Sequence, residues 1–301
     1  MKPLREQTII ICGIVRDAEK GLRRNIPVIN AICQQLKDFR IIIYENDSRD
    51  RTKDMLRAWH QQDEQRICIS LNDTDPAPVT PQNAAVSCNP FFSKKRIEKM
   101  ARLRNHYMEY IDSRQWTADL LMVVDMDVAQ LRLDGILNTL QAPVEWDAVA
   151  ANGYSTAHTP PFRRRYHDSY ALTLYGDNTP QTELKIKSLA ARLGKLKPGA
   201  AWLRVDSAFC GLAIYNFKAV KGLRYAAIPN NDPRVEVRCE HVSIYTQMKQ
   251  RGYTRFFINP AMELKYQNLI PKNVWQSIVV NLPFYLKYIW KRIISGKKCD
   301  L

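Results

Sequence analysis

What the chain lacks narrows its class first. No Cys-x-x-Cys pair occurs, and the seven cysteines (Cys12, Cys33, Cys68, Cys88, Cys210, Cys239 and Cys299) are odd in number and widely spaced. That pattern speaks against a zinc site and for buried, reduced thiols in a cytosolic protein. No run reaches the roughly 18 apolar residues that span a bilayer. The start, MKPLREQTIIICGIV, has a short apolar segment and no small-residue cleavage site, so no secretion signal is expected. A G-x-x-x-x-G-K-[ST] phosphate loop and a G-x-G-x-x-G fingerprint are both missing, which disfavours NTPases and Rossmann dehydrogenases. Helix-turn-helix, zinc-finger and aromatic RNA-binding signatures are missing too.

Acids are the scarce charge. Lys and Arg number 45 against 30 Asp and Glu, a net charge of +15. Such a surplus favours an anionic partner: nucleic acid, an anionic membrane surface or a phosphorylated substrate. The 301 residues suffice for one large α/β domain or two intimate lobes with a sizeable core.

The first 150 residues alternate between strand and helix patterns. Thr8–Val15, Arg40–Tyr44, Ile67–Leu71, the run ending at Val124 and Ala148–Ala151 read as strands. Glu19–Leu36, Arg51–His60, Ile97–Ile111 and Leu133–Leu140 carry helical spacing. The alternation implies a mostly parallel sheet flanked by helices. Residues 155–200 are polar, basic and irregular. Order returns in SAFCGLAIYN (207–216), read as a strand, and in 239–253, read as a helix.

Two strands end in acids. In LLMVVDMDVAQL the apolar run 120–124 gives way to Asp125 and Asp127. A strand buried on both faces reads this way, and its C-terminal end lies where open α/β sheets bind ligands. Two carboxylates so close repel unless a cation shares them, and carboxylate oxygens suit Mg2+ or Mn2+. The second stretch, IIIYENDSRDRT (41–52), ends in Glu45, Asn46 and Asp47, with Ser48 placed to cap the following helix. Read as structure alone, it is a strand, an Asx-rich turn and an N-cap. Read functionally, it offers carboxylates to a base or ribose.

Together the two stretches resemble the nucleotide-sugar glycosyltransferases of GT-A fold. In the large synthase-type family of these enzymes the first turn reads D-D-x-S-x-D-x-T. Here ENDSRDRT keeps Ser48, Asp50 and Thr52 and places Glu45 and Asn46 at the leading acids. Asp125-Met126-Asp127 matches the family's D-x-D strand end. SAFCGLAIYN resembles its glycine-containing strand, and CEHVSIYTQMKQRG its acidic helix start. YHDSYAL (166–172) and SAFCGLAIY also resemble, more weakly, the capsule-associated α-mannosyltransferases.

The resemblance covers about residues 8–265. It implies a GT-A, Rossmann-like α/β domain over 1–265, with a nucleotide-binding half at 1–152 and an acceptor- and sugar-binding half at 153–265. It implies a hexosyltransferase using a UDP- or GDP-linked donor with Mn2+ or Mg2+. Asp127 would ligate the metal directly, and Asp125 would contact either the metal through water or the ribose. Glu45 and Asp47 would serve the nucleotide, and Arg102 or Arg104 the phosphates. Glu240 would deprotonate the acceptor or stabilise the cationic sugar, according to stereochemistry. His241 would be a third metal ligand, competing with a reading as a core histidine. Asp206 and Asp168 would bind acceptor or sugar, competing with turn chemistry.

The tail, 266–301, mixes Trp275, Phe284, Tyr285, Tyr288 and Trp290 with Lys287, Lys291, Arg292, Lys297 and Lys298. It is too short and broken to span, and fits an amphipathic helix lying on an anionic leaflet. With the charge surplus it suggests a peripheral protein at the inner face of the cell membrane, acting on a cell-surface glycan or lipid-linked acceptor. The alternative is a basic nucleic-acid-binding or metal-dependent phosphodiester-processing protein, supported by the same surplus and by RRRYHDSY. No nucleic acid is expected on the leading reading.

Overall fold

The β-branched run Thr8–Val15 opens the fold as β1, and an alternation of strands and helices follows. The computed structural model describes residues 2–73, 89–156 and 163–266, with Leu282 and Leu286 besides. After β1 come α1 (Glu19–Cys33), β2 (Asp38–Asn46), α2 (Thr52–His60), β3 (Ile67–Asn72), α3 (Lys94–Ser113) and β4 (Leu120–Val124). A short β5 (Gln130–Leu131), α4 (Leu133–Leu140) and β6 (Ala148–Thr156) continue the pattern. The later part adds β7 (Arg164–Tyr166), β8 (Thr173–Leu174), α5 (Glu183–Leu193), β9 (Leu203–Ser207), β10 (Leu212–Asn216) and α6 (Phe217–Val220). It closes with β11 (Ile228–Pro229), β12 (Val237–Arg238), α7 (Glu240–Gln250) and β13 (Phe256–Lys265).

One sheet runs in the order β3-β2-β1-β4-β10-β6-β13-β9-β8. Strands β3, β2, β1 and β4 are parallel, and β10 lies antiparallel between β4 and β6. Strand β13 is parallel to β6 and antiparallel to β9. The class is the expected one: α/β, a mostly parallel central sheet flanked by helices. Strands from both sides of residue 152 share this sheet, because β6 crosses that position and pairs with β10 and β13.

The central strands are apolar throughout because both faces are covered. Ile10 and Cys12 of β1, with Leu121 and Val123 of β4, pack under α3 and α7. Ile9 and Ile11, with Met122 and Val124, pack against α1, α2 and α4. The parallel strands therefore end together, and their C-terminal edge carries both acidic turns.

SAFCGLAIYN is two strand pieces, β9 ending at Ser207 and β10 starting at Leu212, joined by a turn in which Cys210 and Gly211 have φ of 55° and 85°. A side chain can be forced into that conformation at Cys210; Gly211 adopts it without strain. Residues 155–200 hold a capped helix, α5, with Thr182 Oγ1 accepting from Lys185 N at 3.1 Å. Ser48 does not cap α2, whose first N–H, that of Thr52, donates instead to Asp50 Oδ1 at 3.0 Å. Among the described residues no helix is long and apolar enough to cross a membrane. The amphipathic tail, apart from Tyr266, Leu282 and Leu286, lies outside the described residues.

Candidate active site

The acidic turn after β2 is closed on itself and on its neighbour. Glu45 is fully buried, and its Oε1 accepts from Ser48 N at 2.7 Å. Asp47 Oδ2 accepts from Asn46 Nδ2 at 3.2 Å, and Ser48, Asp50 and Thr52 serve the start of α1, whose N-cap, Ala18, offers no side-chain acceptor. Ser48 Oγ accepts from Asp17 N (3.0 Å), Thr52 Oγ1 from Ala18 N (2.7 Å) and Asp50 Oδ2 from Glu19 N (3.0 Å). Ala18 N and Glu19 N are orphan donors of the helix start, and Asp17 N lies just before it, so Thr52 and Asp50 cap α1 in trans and Ser48 holds the approach. Asp17 returns the contact by accepting from Arg49 N at 2.7 Å. Asp17 and Asp47 both take positive φ, 50° and 54°, to make the tight approach.

The turn after β4 is built differently. Met126 is fully buried in the core between Asp125 and Asp127 and pins the loop. Asp125 N donates to Gly211 O at 2.8 Å, which ties the loop to the β9–β10 turn. On the other side α1 comes so close that a β-carbon on Gly21 would stand 2.4 Å from Met126 O. Asp125 Oδ1 lies 3.5 Å from Arg104 Nη2, and its Oδ2 accepts from the Tyr266 hydroxyl at 3.3 Å. Arg104 Nε donates to Glu240 Oε1 at 3.0 Å, and Cys239 Sγ to Glu240 Oε2 at 3.3 Å. The guanidinium lies over the Phe209 ring, 4.9 Å from its centroid. Asp168, half-buried, accepts from Ala171 N at 3.3 Å. The neighbouring His167 stacks on Tyr266, ring centroids 3.4 Å apart.

The electrostatics follow from that arrangement. Burial raises the Asp125 carboxyl to about 7, opposed by Arg104 and assisted by Asp127, Asp168 and Glu240. Burial likewise raises Asp168 to about 6, with Glu240 adding to it. Asp127 stands at the exposed lip of the same group, and desolvation raises its carboxyl too. Burial lowers His167 to about 4, so it is neutral. Arg104 bonds to Glu240, lies against Asp125, and its charge is also felt by Asp127 and Asp168. Like charges held together in a poorly solvated cleft favour uptake of a cation.

Not every expected residue joins this group. Arg104, not Arg102, reaches the carboxylates. It falls in the buried α3 stripe Ile97, Ala101, Arg104, Met108 and Ile111, whereas Arg102 is exposed. Asp206 pairs with Lys249 at 2.6 Å and accepts from Gly176 N at 3.0 Å. His241 is turned into the core, stacked 3.7 Å from Phe209 and edge-on to Tyr225, and both its ring nitrogens are buried without a hydrogen-bond partner. Burial holds it well below the usual imidazole range. Among the described residues no three His, Cys, Asp or Glu side chains form a metal-holding group, so His241 is not gathered with Asp125 and Asp127. Glu240 is enclosed by Arg104 and Cys239, and only 4% of its side chain is exposed.

Tyr266, His167 and Asn25 carry parts of the site that sequence reasoning passed over. Arg104 had a readable signal, a charged residue inside an apolar helical stripe. Asn25 had a similar one. Tyr266 had none, because only the sheet register brings it beside Asp125.

The D-x-D pair fits a divalent ion in a limited sense. Two carboxylates give part of a coordination sphere, and small hard cations commonly take one or two carboxylates and fill the rest with water and substrate phosphates.

The family described as cryptococcal mannosyltransferase 1 matches residues 8–244, from β1 into α7. Among solved structures, mannosyltransferase PcManGT of Pyrobaculum calidifontis, in complex with GDP-Man and Mn2+, is 14% identical; the match covers 99% of this chain and 67% of that one, with a TM-score of 0.45. A fragment of S. aureus TarS is 10% identical over 86% of this chain and 60% of its own, with a TM-score of 0.44. The match thus spans less than two thirds of that fragment. Glucosyl-3-phosphoglycerate synthase of Mycobacterium tuberculosis, with Mn2+, UDP and phosphoglyceric acid, is 11% identical over 87% of this chain and 71% of its own, with a TM-score of 0.42. No curated protein matches the sequence.

Proposed function

This chain belongs to the cryptococcal mannosyltransferase 1 family, and on that premise we propose that it is a metal-dependent transferase moving a hexose, mannose by family, from a nucleotide-sugar to a glycan hydroxyl. The observation that carries the reading is the anionic group at the end of β4, in a chain that is +15 overall.

The residues divide the work. Asp127, at the lip, and Asp125, behind it, would hold a divalent ion. When bound, the ion supplies Lewis-acid stabilisation of the charge that builds on the leaving group. Arg104 fixes Asp125 and keeps the buried carboxylates from repelling the fold apart. Glu240, closed off by its partners, holds Arg104 rather than meeting the acceptor. Asp168 is the carboxylate left to face the sugar; it stabilises cationic character at the sugar carbon or takes the acceptor's proton, according to stereochemistry. Asp47 would serve the nucleotide; Glu45, fully buried, would act only by shaping the turn. UDP and GDP both suit this arrangement.

For the acceptor, the reading is a cell-surface glycan or lipid-linked sugar at the inner membrane face, with Lys- and Arg-rich surface drawn to anionic lipid. Its support is the charge surplus and the composition of the tail.

The test is donor turnover. Purified protein is incubated with UDP-glucose, UDP-galactose or GDP-mannose, with and without Mn2+, and free nucleotide is measured. One donor should be consumed only with metal, and Asp127→Ala should abolish it. Turnover that ignores both metal and Asp127 would sink the reading.

A further inference from the structure

We propose that Asn25, in the middle of α1, is the positioning residue of the Asp125–Asp127 loop. The proposal rests on the functional reading above for its ligand, but its geometry stands independently.

Beyond Val124 the chain leaves the sheet and rejoins it only where Ala129 N donates to Tyr266 O at 2.9 Å and Gln130 and Leu131 pair with Lys265 and Leu264. Met126 and Val128 are both fully buried, so their carbonyls need donors that water cannot supply. Asn25 supplies both. Its Nδ2 donates to Met126 O at 2.9 Å and to Val128 O at 2.8 Å, and its Oδ1 accepts from Leu131 N at 3.4 Å. The amide is 1% exposed and spends both N–H groups and its oxygen on this loop. Asparagine is a poor residue for a helix interior, and burying its amide costs free energy unless every group is bonded. Its place in α1 is therefore explained by the loop, not by the helix.

Gly21, one turn earlier on the same face, lets the helix backbone come against Asp127, whose Cα would lie 2.5 Å from a β-carbon there. The helix is in turn held by Ser48, Asp50 and Thr52 at its N-terminus. The two acidic turns are thus joined mechanically through α1. Asp127 lies between the two carbonyls that Asn25 fixes, so its carboxylate is presented at a set separation from Asp125. A metal site tolerates only about 0.5 Å of looseness, and outer partners of ligands typically change metal affinity about 10–100-fold. Asn25 touches no ligand and acts only through this loop.

The test uses the full chain and three variants. Asn25→Ala removes the amide. Ile32→Val, a small buried truncation on the same helix, controls for loss of stability. Asn25→Ser, too short to reach both carbonyls, substitutes for Asn25→Ala if the latter does not fold. The readouts are amide hydrogen exchange over 126–131 without ligand, and Mn2+ titration in the presence of UDP and of GDP. Asn25→Ala should speed exchange selectively over 126–131 and weaken metal-dependent nucleotide binding about 10–100-fold. Ile32→Val should leave both near wild type. If Asn25→Ala and Ile32→Val behave alike in exchange and in metal affinity, Asn25 is only a structural residue and the proposal is wrong. If wild type binds no nucleotide with Mn2+, the transferase reading fails on its own, and the exchange comparison still decides whether Asn25 holds the loop.

Discussion

Two strand ends of one sheet finish in acids, and they are put to opposite uses. After β2, Glu45 Oε1, Ser48 Oγ, Asp50 Oδ2 and Thr52 Oγ1 meet backbone N–H groups of their own turn and at the start of α1. After β4, Asp125 and Asp127 meet other carboxylates, one guanidinium and one phenol. The first turn is largely spent on the fold, although Glu45 Oε2 is buried there without a hydrogen-bond partner. The second carries more negative charge than the fold neutralises. An acidic motif at a strand end is thus not evidence of a ligand site by itself; the unbalanced charge is.

Breaking the balance of the second turn should have the largest effect. Arg104→Ala strips the buried partner from Glu240 and Asp125, whose side chains are 4% and 14% exposed. Uncompensated buried charge of this kind costs about 3–5 kcal/mol. Urea unfolding should show a loss of that size. A loss under about 1 kcal/mol would mean that the carboxylates find water instead.

The next effect sharpens the contrast by pH. Asp125 titrates near 7 in the fold against an ordinary 3.8. Between those values the folded chain keeps a proton that the unfolded chain has released, so stability falls as pH rises through that window. Asp125→Asn removes the fall. Without metal it should be more stable than wild type at pH 8 by on the order of 1–3 kcal/mol, and equal to it at pH 4. Parallel pH profiles for the two proteins would contradict the strained-charge account.

The first turn should respond like a helix cap. Thr52→Ala or Ser48→Ala should cost about 1 kcal/mol and a few degrees in Tm. Metal-dependent nucleotide affinity should change less than it does in Asn25→Ala. A capping variant that loses nucleotide binding at unchanged Tm would blur the division between the turns. The smallest expected effect is Tyr266→Phe. The hydroxyl's single long bond to Asp125 is worth about 0.5–1.5 kcal/mol, read as a modest loss of Mn2+ affinity with the fold intact.

The contrast also explains which parts were legible in the sequence. Strands β1 to β4 announce themselves because a parallel sheet buried on both faces needs unbroken apolar runs. The D-x-D pair stands out because charges interrupt such a run. What the sequence hides is set by partners distant along the chain. Ser48 reads as a cap for the helix that follows it, yet its hydroxyl serves α1, more than thirty residues upstream by the Asp17 contact. SAFCGLAIYN reads as one strand because Phe209 and Cys210 are apolar. Their apolarity instead reflects a buried turn packed beside Gly153 and His241. Arg102 and Arg104 differ by two residues and face opposite ways, which helical spacing alone decides. Tyr266 and Asp125 meet only because β13 lies where it does in the sheet.

The measurement that tests the central claim most directly is a thermal-shift panel. UDP, GDP, CDP and ADP are each added with and without Mn2+ to wild type and to Asp127→Ala. A ligand at about 100 times its dissociation constant adds about 2.7 kcal/mol, a shift of several degrees at most for a chain of this size. The account expects one nucleotide to stabilise wild type only with metal, and Asp127→Ala to keep its own Tm but show no shift. Equal stabilisation of both proteins, or of neither by any nucleotide, would contradict the claim that the unbalanced charge after β4 is there to hold a metal–diphosphate.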